Sequence, residues 1–144
     1  MNQQTYIMLK PDCLKRGLMG EVISRIEKKG YRIVQAKLMT LDAAIIAEHY
    51  AHLIDKPFYP ILESFMLSGP VFGMVIEGEE VVQGMRAMMG PTNIFEAAPG
   101  TIRGDYATDL TCNLIHGSDS PETAKVEINR FSNSSQANPE QHAN

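Results

Sequence analysis

Positive charge is in short supply in this chain. Its 144 residues include 13 Lys and Arg against 17 Asp and Glu, a formal net charge of −4. So acidic a protein does not hold nucleic acid through a general electrostatic field, and its cations must act locally. Cysteine is scarcer. Cys13 and Cys112 lie far apart and match no zinc spacing, which predicts reduced thiols rather than a disulfide. No glycine-rich stretch precedes a Lys-Ser or Lys-Thr pair, and no Gly-x-Gly-x-x-Gly occurs, so P-loop and dinucleotide fingerprints are excluded. No run approaches the roughly 18 apolar residues of a membrane helix. Met1 to Lys10 lacks the basic start and long apolar centre of a signal peptide. The expected compartment is the cytoplasm, and no internal repeat is visible.

Hydrophobic residues make up 44% of the chain, which suits one domain with one core. Thr5 to Leu9 reads as a strand stopped by Pro11. Leu18, Met19, Val22, Ile23 and Ile26 form a helical stripe that Gly30 ends. Ile33 to Leu41 is a strand with Val34, Ala36 and Leu38 on one face. Asp42 has the look of an N-cap, with Leu41 and Ile46 as a hydrophobic staple, for a helix running to about Tyr50. A short helix is expected around Pro60 to Leu67. The apolar run Val71 to Ile76 predicts a central strand covered on both faces. A helix follows through Val81, Val82, Met85, Met88 and Met89, ended by Gly90 and Pro91. The long connection from Thr92 to about Asp109 leads to a last strand, Leu110 to Ile115. Ser120 and Pro121 then open a final helix ending near Phe131. The order predicts an α+β, ferredoxin-like split βαβ domain (βαββαβ). Its four-stranded antiparallel sheet carries an inserted helical pair and a C-terminal helix. Residues 1–131 are expected to form this single domain. Ser132 to Asn144, with no aromatic or branched aliphatic residue, is expected to be a disordered polar tail.

The chemistry concentrates near the C-terminus, in Asn113 to Ser120. His116 ends an apolar run and is followed by Gly117, which removes side-chain bulk next to the imidazole. Glu127 lies near the apolar face made by Ala124, Ile128 and Phe131, so its carboxylate is expected to point inward. A carboxylate on one ring nitrogen fixes the tautomer and leaves the other nitrogen a free lone pair, the requirement for a histidine nucleophile. A lone histidine is more often structural, so the cations matter. Lys10, Arg86 and Arg103, with Tyr50, Thr92 and Asn113 as neutral donors, are the candidates for holding phosphate. Phe58 and Leu62 share a helix face that packs in the core or, if exposed beside a ligand, stacks on a base. His49 and His52 have i, i+3 metal spacing but no acidic or thiol partner at ligand distance in the sequence.

Several segments now stand together: Lys10-Pro11-Asp12, Lys56-Pro57-Phe58, Ser68-Gly69-Pro70, Thr92-Asn93, Pro99 through Asp105, and Asn113 through Ser120. In this combination the chain resembles the nucleoside diphosphate kinase family from about residue 4 to 131. The resemblance implies a ferredoxin-like enzyme. It would move the γ-phosphoryl group of a nucleoside triphosphate to a nucleoside diphosphate by a ping-pong mechanism, with Mg²⁺ on the phosphates. It implies His116 as the phosphorylated nucleophile, with Glu127 and Ser118 orienting its ring. Lys10, Tyr50, Arg86, Thr92 and Arg103 would bind phosphate, and Lys10 and Asn113 the ribose hydroxyls. Phe58 would stack on the base, with Leu62 and Leu110 on the other side. Asp119 would lie near the metal through water. A homo-oligomer is implied too, a tetramer or hexamer built from dimers.

Three positions depart from the family pattern. Ile94 stands where Pro is usual, Thr111-Cys112 where many members have Gly-Arg, and the polar tail replaces an aromatic extension. Ile94 forgoes the restraint proline puts on φ, so a weaker higher assembly is expected. The rival readings are a non-catalytic ferredoxin-like nucleotide-binding module and a nucleic-acid-binding module. The first has no need of His116 with Glu127, and the acidic charge opposes the second.

Overall fold

The computed structural model describes residues 1–132. Along them run β1 (Asn2–Leu9), α1 (Pro11–Lys15), α2 (Met19–Lys29), β2 (Arg32–Met39), α3 (Ala43–His49) and α4 (Tyr59–Met66). There follow β3 (Val71–Glu79), α5 (Val81–Met89), α6 (Ile102–Tyr106), β4 (Ile115–Gly117) and α7 (Pro121–Ser132). The strands form one antiparallel sheet in the order β2-β3-β1-β4. This is the expected ferredoxin-like α+β fold, with α3 and α4 inserted and α7 appended.

Strand alternation divides the core. Tyr6 and Met8 face one side of the sheet, where they join Met39 and Val75 with Ile46, Leu62 and Phe131 from α3, α4 and α7. Ile7 and Leu9 face the other, with Met74 and Ile76, and are covered by Val22 and Ile26 of α2 and Met85 of α5. Strands β1 and β3 are therefore buried on both faces, which is why they read as continuous apolar runs. Several local signals act as read. Asp42 Oδ1 accepts the Ile45 N–H at 2.9 Å, and Leu41 packs in the same cluster as Ile46. Ser120 Oγ accepts the Thr123 N–H at 3.0 Å ahead of Pro121.

Other expectations give way, each for a physical reason. Strand β1 ends at Leu9 ahead of Pro11 as read, but it begins already at Asn2, and Pro11 opens α1, a position where its missing N–H is no loss. Strand β2 pairs only with β3 and carries a bulge at Val34, between Ile33 and Gln35. It is an edge strand: Val34 is half-buried against the core, while Ala36 and Leu38 are exposed. The long connection is not structureless. Asn93 caps a 3-10 turn over Ile94–Glu96, and Thr101 caps α6. Ile94 is buried within its own chain, while the adjacent Phe95 is exposed. The last strand is β4, Ile115–Gly117, not Leu110 to Ile115. Asp109 takes the N–H groups of Thr111 and Cys112 into a turn, and Leu114 adopts φ +78°, so the chain cannot extend before Ile115. The expected tail begins at Ser132, the last residue of α7; the rest of it lies outside the described residues.

Candidate active site

Because β4 begins late, the histidine lies inside the sheet. His116 pairs with Met8 and Gly117 with Ile7. Side chains alternate, so His116 points with Met8 towards α7, and position 117 points towards α5. A Cβ on Gly117 would lie 2.5 Å from Met89 Sδ and 3.1 Å from Ile7 Cδ1. The glycine thus permits the close approach of α5; it does not clear space beside the imidazole, as its place in the sequence suggested.

On α7, Ala124, Glu127 and Phe131 recur at helical spacing and are all buried. Only Glu127 is charged among them. Its Oε1 meets His116 Nε2 at 2.9 Å and accepts the Ser118 hydroxyl at 2.6 Å. Ser118 is itself fixed to β1, its N–H donating to the Tyr6 carbonyl and its Oγ accepting the Tyr6 N–H. A carboxylate accepts, so the His116 proton sits on Nε2 and the Nδ1 lone pair is free. The imidazole remains partly open to solvent, at 22% side-chain exposure.

Around it stand the cations. Lys10 is buried, and its Nζ donates to Asn113 Oδ1 at 2.8 Å. Burial and the neighbouring Arg103 bring its pKa down to about 8. Arg103 donates to the carbonyls of Ile115 at 2.6 Å, Gly90 at 2.9 Å and Asn113 at 3.4 Å. Burial, with Arg86 near, lowers its pKa to about 10. Arg86 Nη1 reaches the Gly117 carbonyl at 3.4 Å. The Tyr50 hydroxyl is buried without a hydrogen-bond partner among the described residues, and burial beside Glu127 raises its pKa. Asn113 Nδ2 donates to the Leu110 carbonyl at 3.1 Å. Hydrogen bonds thus join His116, Glu127 and Ser118 in one group and Lys10, Asn113 and Arg103 in another, while Arg103 and Arg86 hold the main chain on either side of His116, at Ile115 and Gly117. Phe58, Thr92, Leu110 and Asp119 expose their side chains to solvent. Leu62 sits mostly in the core with Tyr50 and Tyr59.

The histidine pair read from the sequence separates: His52 is exposed, and His49 is buried against His116. The His49 ring lies edge-on to His116 with centroids 4.6 Å apart. Its Nδ1 accepts from Arg130 at 2.8 Å and stands 3.9 Å from Glu127 Oε2. Burial, with His116 and Arg130 near, lowers its pKa to about 2, so it stays neutral. His49, His116 and Glu127 are close enough to share an ion. Two imidazoles suit zinc better than magnesium, however, and the Arg130 guanidinium already stands at His49 Nδ1. Sequence reading missed His49 and Arg130 at this centre; the available signal was Arg130 one turn after Glu127 on the same helix.

A carboxylate-oriented imidazole with a free nitrogen, set among cations on a ferredoxin-like sheet, defines a phosphotransferase that works through phosphohistidine. The family model described as nucleoside diphosphate kinase matches residues 3–137. The chain is 54% identical over 129 residues to the nucleoside diphosphate kinase of Listeria innocua, covering 90% of this chain and 88% of that one. It is 52% identical over 136 residues to that of Halalkalibacterium halodurans, covering 94% and 92%. Its fold superposes on a solved nucleoside diphosphate kinase of Halobacterium salinarum in complex with CDP. There the TM-score is 0.89 at 45% identity, covering 95% of this chain and 91% of that one. The chain belongs to the nucleoside diphosphate kinase family. Its activity is transfer of the γ-phosphoryl group from a nucleoside triphosphate to a nucleoside diphosphate, by the ping-pong phosphohistidine route general to that family. The reading as a non-catalytic module is set aside. No helix among the described residues is long and apolar enough to cross a membrane.

Proposed function

We propose that His116 carries the phosphoryl group on Nδ1. The lone pair attacks the γ-phosphorus, the bond to the β-phosphate oxygen breaks, and the nucleoside diphosphate leaves. A second diphosphate then attacks the phosphohistidine through a terminal β-phosphate oxygen and restores the free imidazole. The observation that carries this reading is the His116 Nε2–Glu127 Oε1 bond of 2.9 Å, with Ser118 on the same oxygen. That bond holds the proton on Nε2 through both half-reactions and keeps the ring aimed. Lys10, Arg86 and Arg103 supply charge to the phosphates, and Tyr50 and Thr92 donate to them. The Tyr50 hydroxyl, buried and without a partner among the described residues, supports its role. Lys10 and Asn113 reach the ribose hydroxyls, Phe58 stacks on the base, and Leu62 and Leu110 line its other side. These contacts offer no base-edge hydrogen bond, so all common bases are accepted.

A lone exposed carboxylate beside the nucleophile fits Mg²⁺ held chiefly by substrate phosphates, with Asp119 reaching it through water. When bound, the ion neutralises charge on the transferring group. The working unit is residues 1–131, in the cytoplasm, as a homo-oligomer, tetramer or hexamer, built from dimers; no nucleic acid or membrane takes part. The test is incubation with γ-labelled ATP. Acid-labile label is expected on the native chain and none on His116→Ala, which still binds CDP. Label on the variant, or intersecting rather than parallel initial-velocity lines, would refute the assignment.

A further inference from the structure

The segment between Asn113 and His116 turns on a leucine in a conformation that leucine avoids. Leu114 is fully buried with φ +78°. The Ile115 N–H donates to the Asn113 carbonyl, two residues back, at 2.9 Å. This is a γ-turn with positive φ at its centre, a rare and strained form that survives only where its surroundings over-determine it. The constraint comes from the other end of the chain. The Lys10 N–H donates to the Leu114 carbonyl at 2.9 Å, and the Leu114 N–H donates to Asp12 Oδ2 at 3.1 Å. Arg103 takes the flanking carbonyls of Asn113 and Ile115. Lys10 and Arg103 already have substrate roles, whereas Asp12 has none. The turn also separates two working residues: Asn113, bonded to Lys10 Nζ, and His116, bonded to Glu127.

We propose that Asp12 is a positioning residue: its side-chain oxygen holds Leu114 in the left-handed turn, and so sets Asn113 and His116 in register with Lys10 and Glu127. The proposal rests on the site roles assigned above. Without that acceptor, Leu114 relaxes towards negative φ and the flanking peptides rotate. Asn113 then leaves Lys10, and β4 shifts against β1. The work requires an acceptor oxygen rather than a charge. A purely structural role, as an acidic residue in the first turn of α1, predicts lower stability with no coupling to position 114.

The test is a double-mutant cycle. kcat, KM and Tm are measured for Asp12→Ala and Asp12→Asn, each in the native background and in the Leu114→Gly background. Glycine takes positive φ freely, so the turn no longer needs holding, and each variant is compared with its own parent. In the native background, Asp12→Ala is expected to lower kcat/KM about tenfold or more; in the Leu114→Gly background the loss shrinks below about threefold. Asp12→Asn keeps an acceptor oxygen and stays within about threefold of the native chain. The Tm drop on losing Asp12 is likewise smaller in the Leu114→Gly parent. That readout needs no turnover: wrong substrate-binding roles leave it standing, while a wrong role for Asp12 removes it. Folding of Asp12→Ala only when combined with Leu114→Gly is the same coupling and supports the proposal. If Asp12→Ala folds in neither background, Asp12→Asn decides, retained turnover supporting the proposal and a loss beyond about tenfold overturning it. Equal losses in both backgrounds, or unchanged kinetics, overturn it too.

Discussion

At the β4–α7 end of the site the working atoms already have partners. His116 rests on Glu127, Glu127 on Ser118, and Ser118 on the main chain of β1. Phe58 and Leu110, proposed above to meet the base, stand 49% and 57% exposed. On those proposed roles, the first region is built before substrate arrives, and the second engages only with it. The division follows from the chemistry. Orientation of a nucleophile lowers a barrier only if it is fixed in advance. A base that must be accepted whatever its identity, and then released, needs only a π-face and an apolar edge.

The contrast breaks first at Glu127. Glu127→Gln should lower kcat by roughly 10–100-fold while KM moves less than about threefold, because the lost interaction orients the ring and does not hold substrate. Steady-state kinetics decide this; an unchanged kcat would make the buried end no more committed than the open one. Arg103 comes next, because it belongs to both regions. Its fork takes three main-chain carbonyls, a geometry lysine cannot copy. Arg103→Lys should cost about 3 kcal/mol of unfolding free energy in urea titration, whereas Arg86→Lys costs under about 1 kcal/mol.

The open end should respond through binding alone. Phe58→Ala should raise KM by about 5–30-fold for purine and pyrimidine substrates alike, with kcat and Tm little changed. A KM effect confined to one base would reveal a specific contact that the exposed ring does not suggest. The smallest effect is expected at Lys10, and it sharpens the comparison through pH. Its folded pKa of about 8 lies below its ordinary value. Between those values the unfolded chain binds the proton more tightly, so this group makes stability rise with pH; below about 8 its buried charge is a constant penalty. Lys10→Met should therefore melt a few degrees higher at neutral pH and lose that alkaline rise, while nucleotide affinity falls. A melting temperature lowered by the substitution would contradict the sign.

Elements whose signals are local were legible in the sequence. The α2 and α5 stripes, the Asp42 and Ser120 caps and the doubly buried β3 depend on spacings of two to four residues. The Glu127 carboxylate pointed inward as its helical phase required. The chain alone likewise fixed which residue types were available: one imidazole beside Gly-Ser-Asp-Ser, few cations, no phosphate loop. Tertiary structure decided the rest. The sheet register set which way His116 and Gly117 face, and edge position exposed Ala36 and Leu38. The packing of α3 against α7 brought His49 and Arg130 to His116. Asp12 and Leu114 lie 102 residues apart along the chain, and no periodicity links such a pair. A γ-turn at a leucine is unfavourable by every local rule, by of the order of 1–3 kcal/mol, and exists because partners distant in sequence hold it.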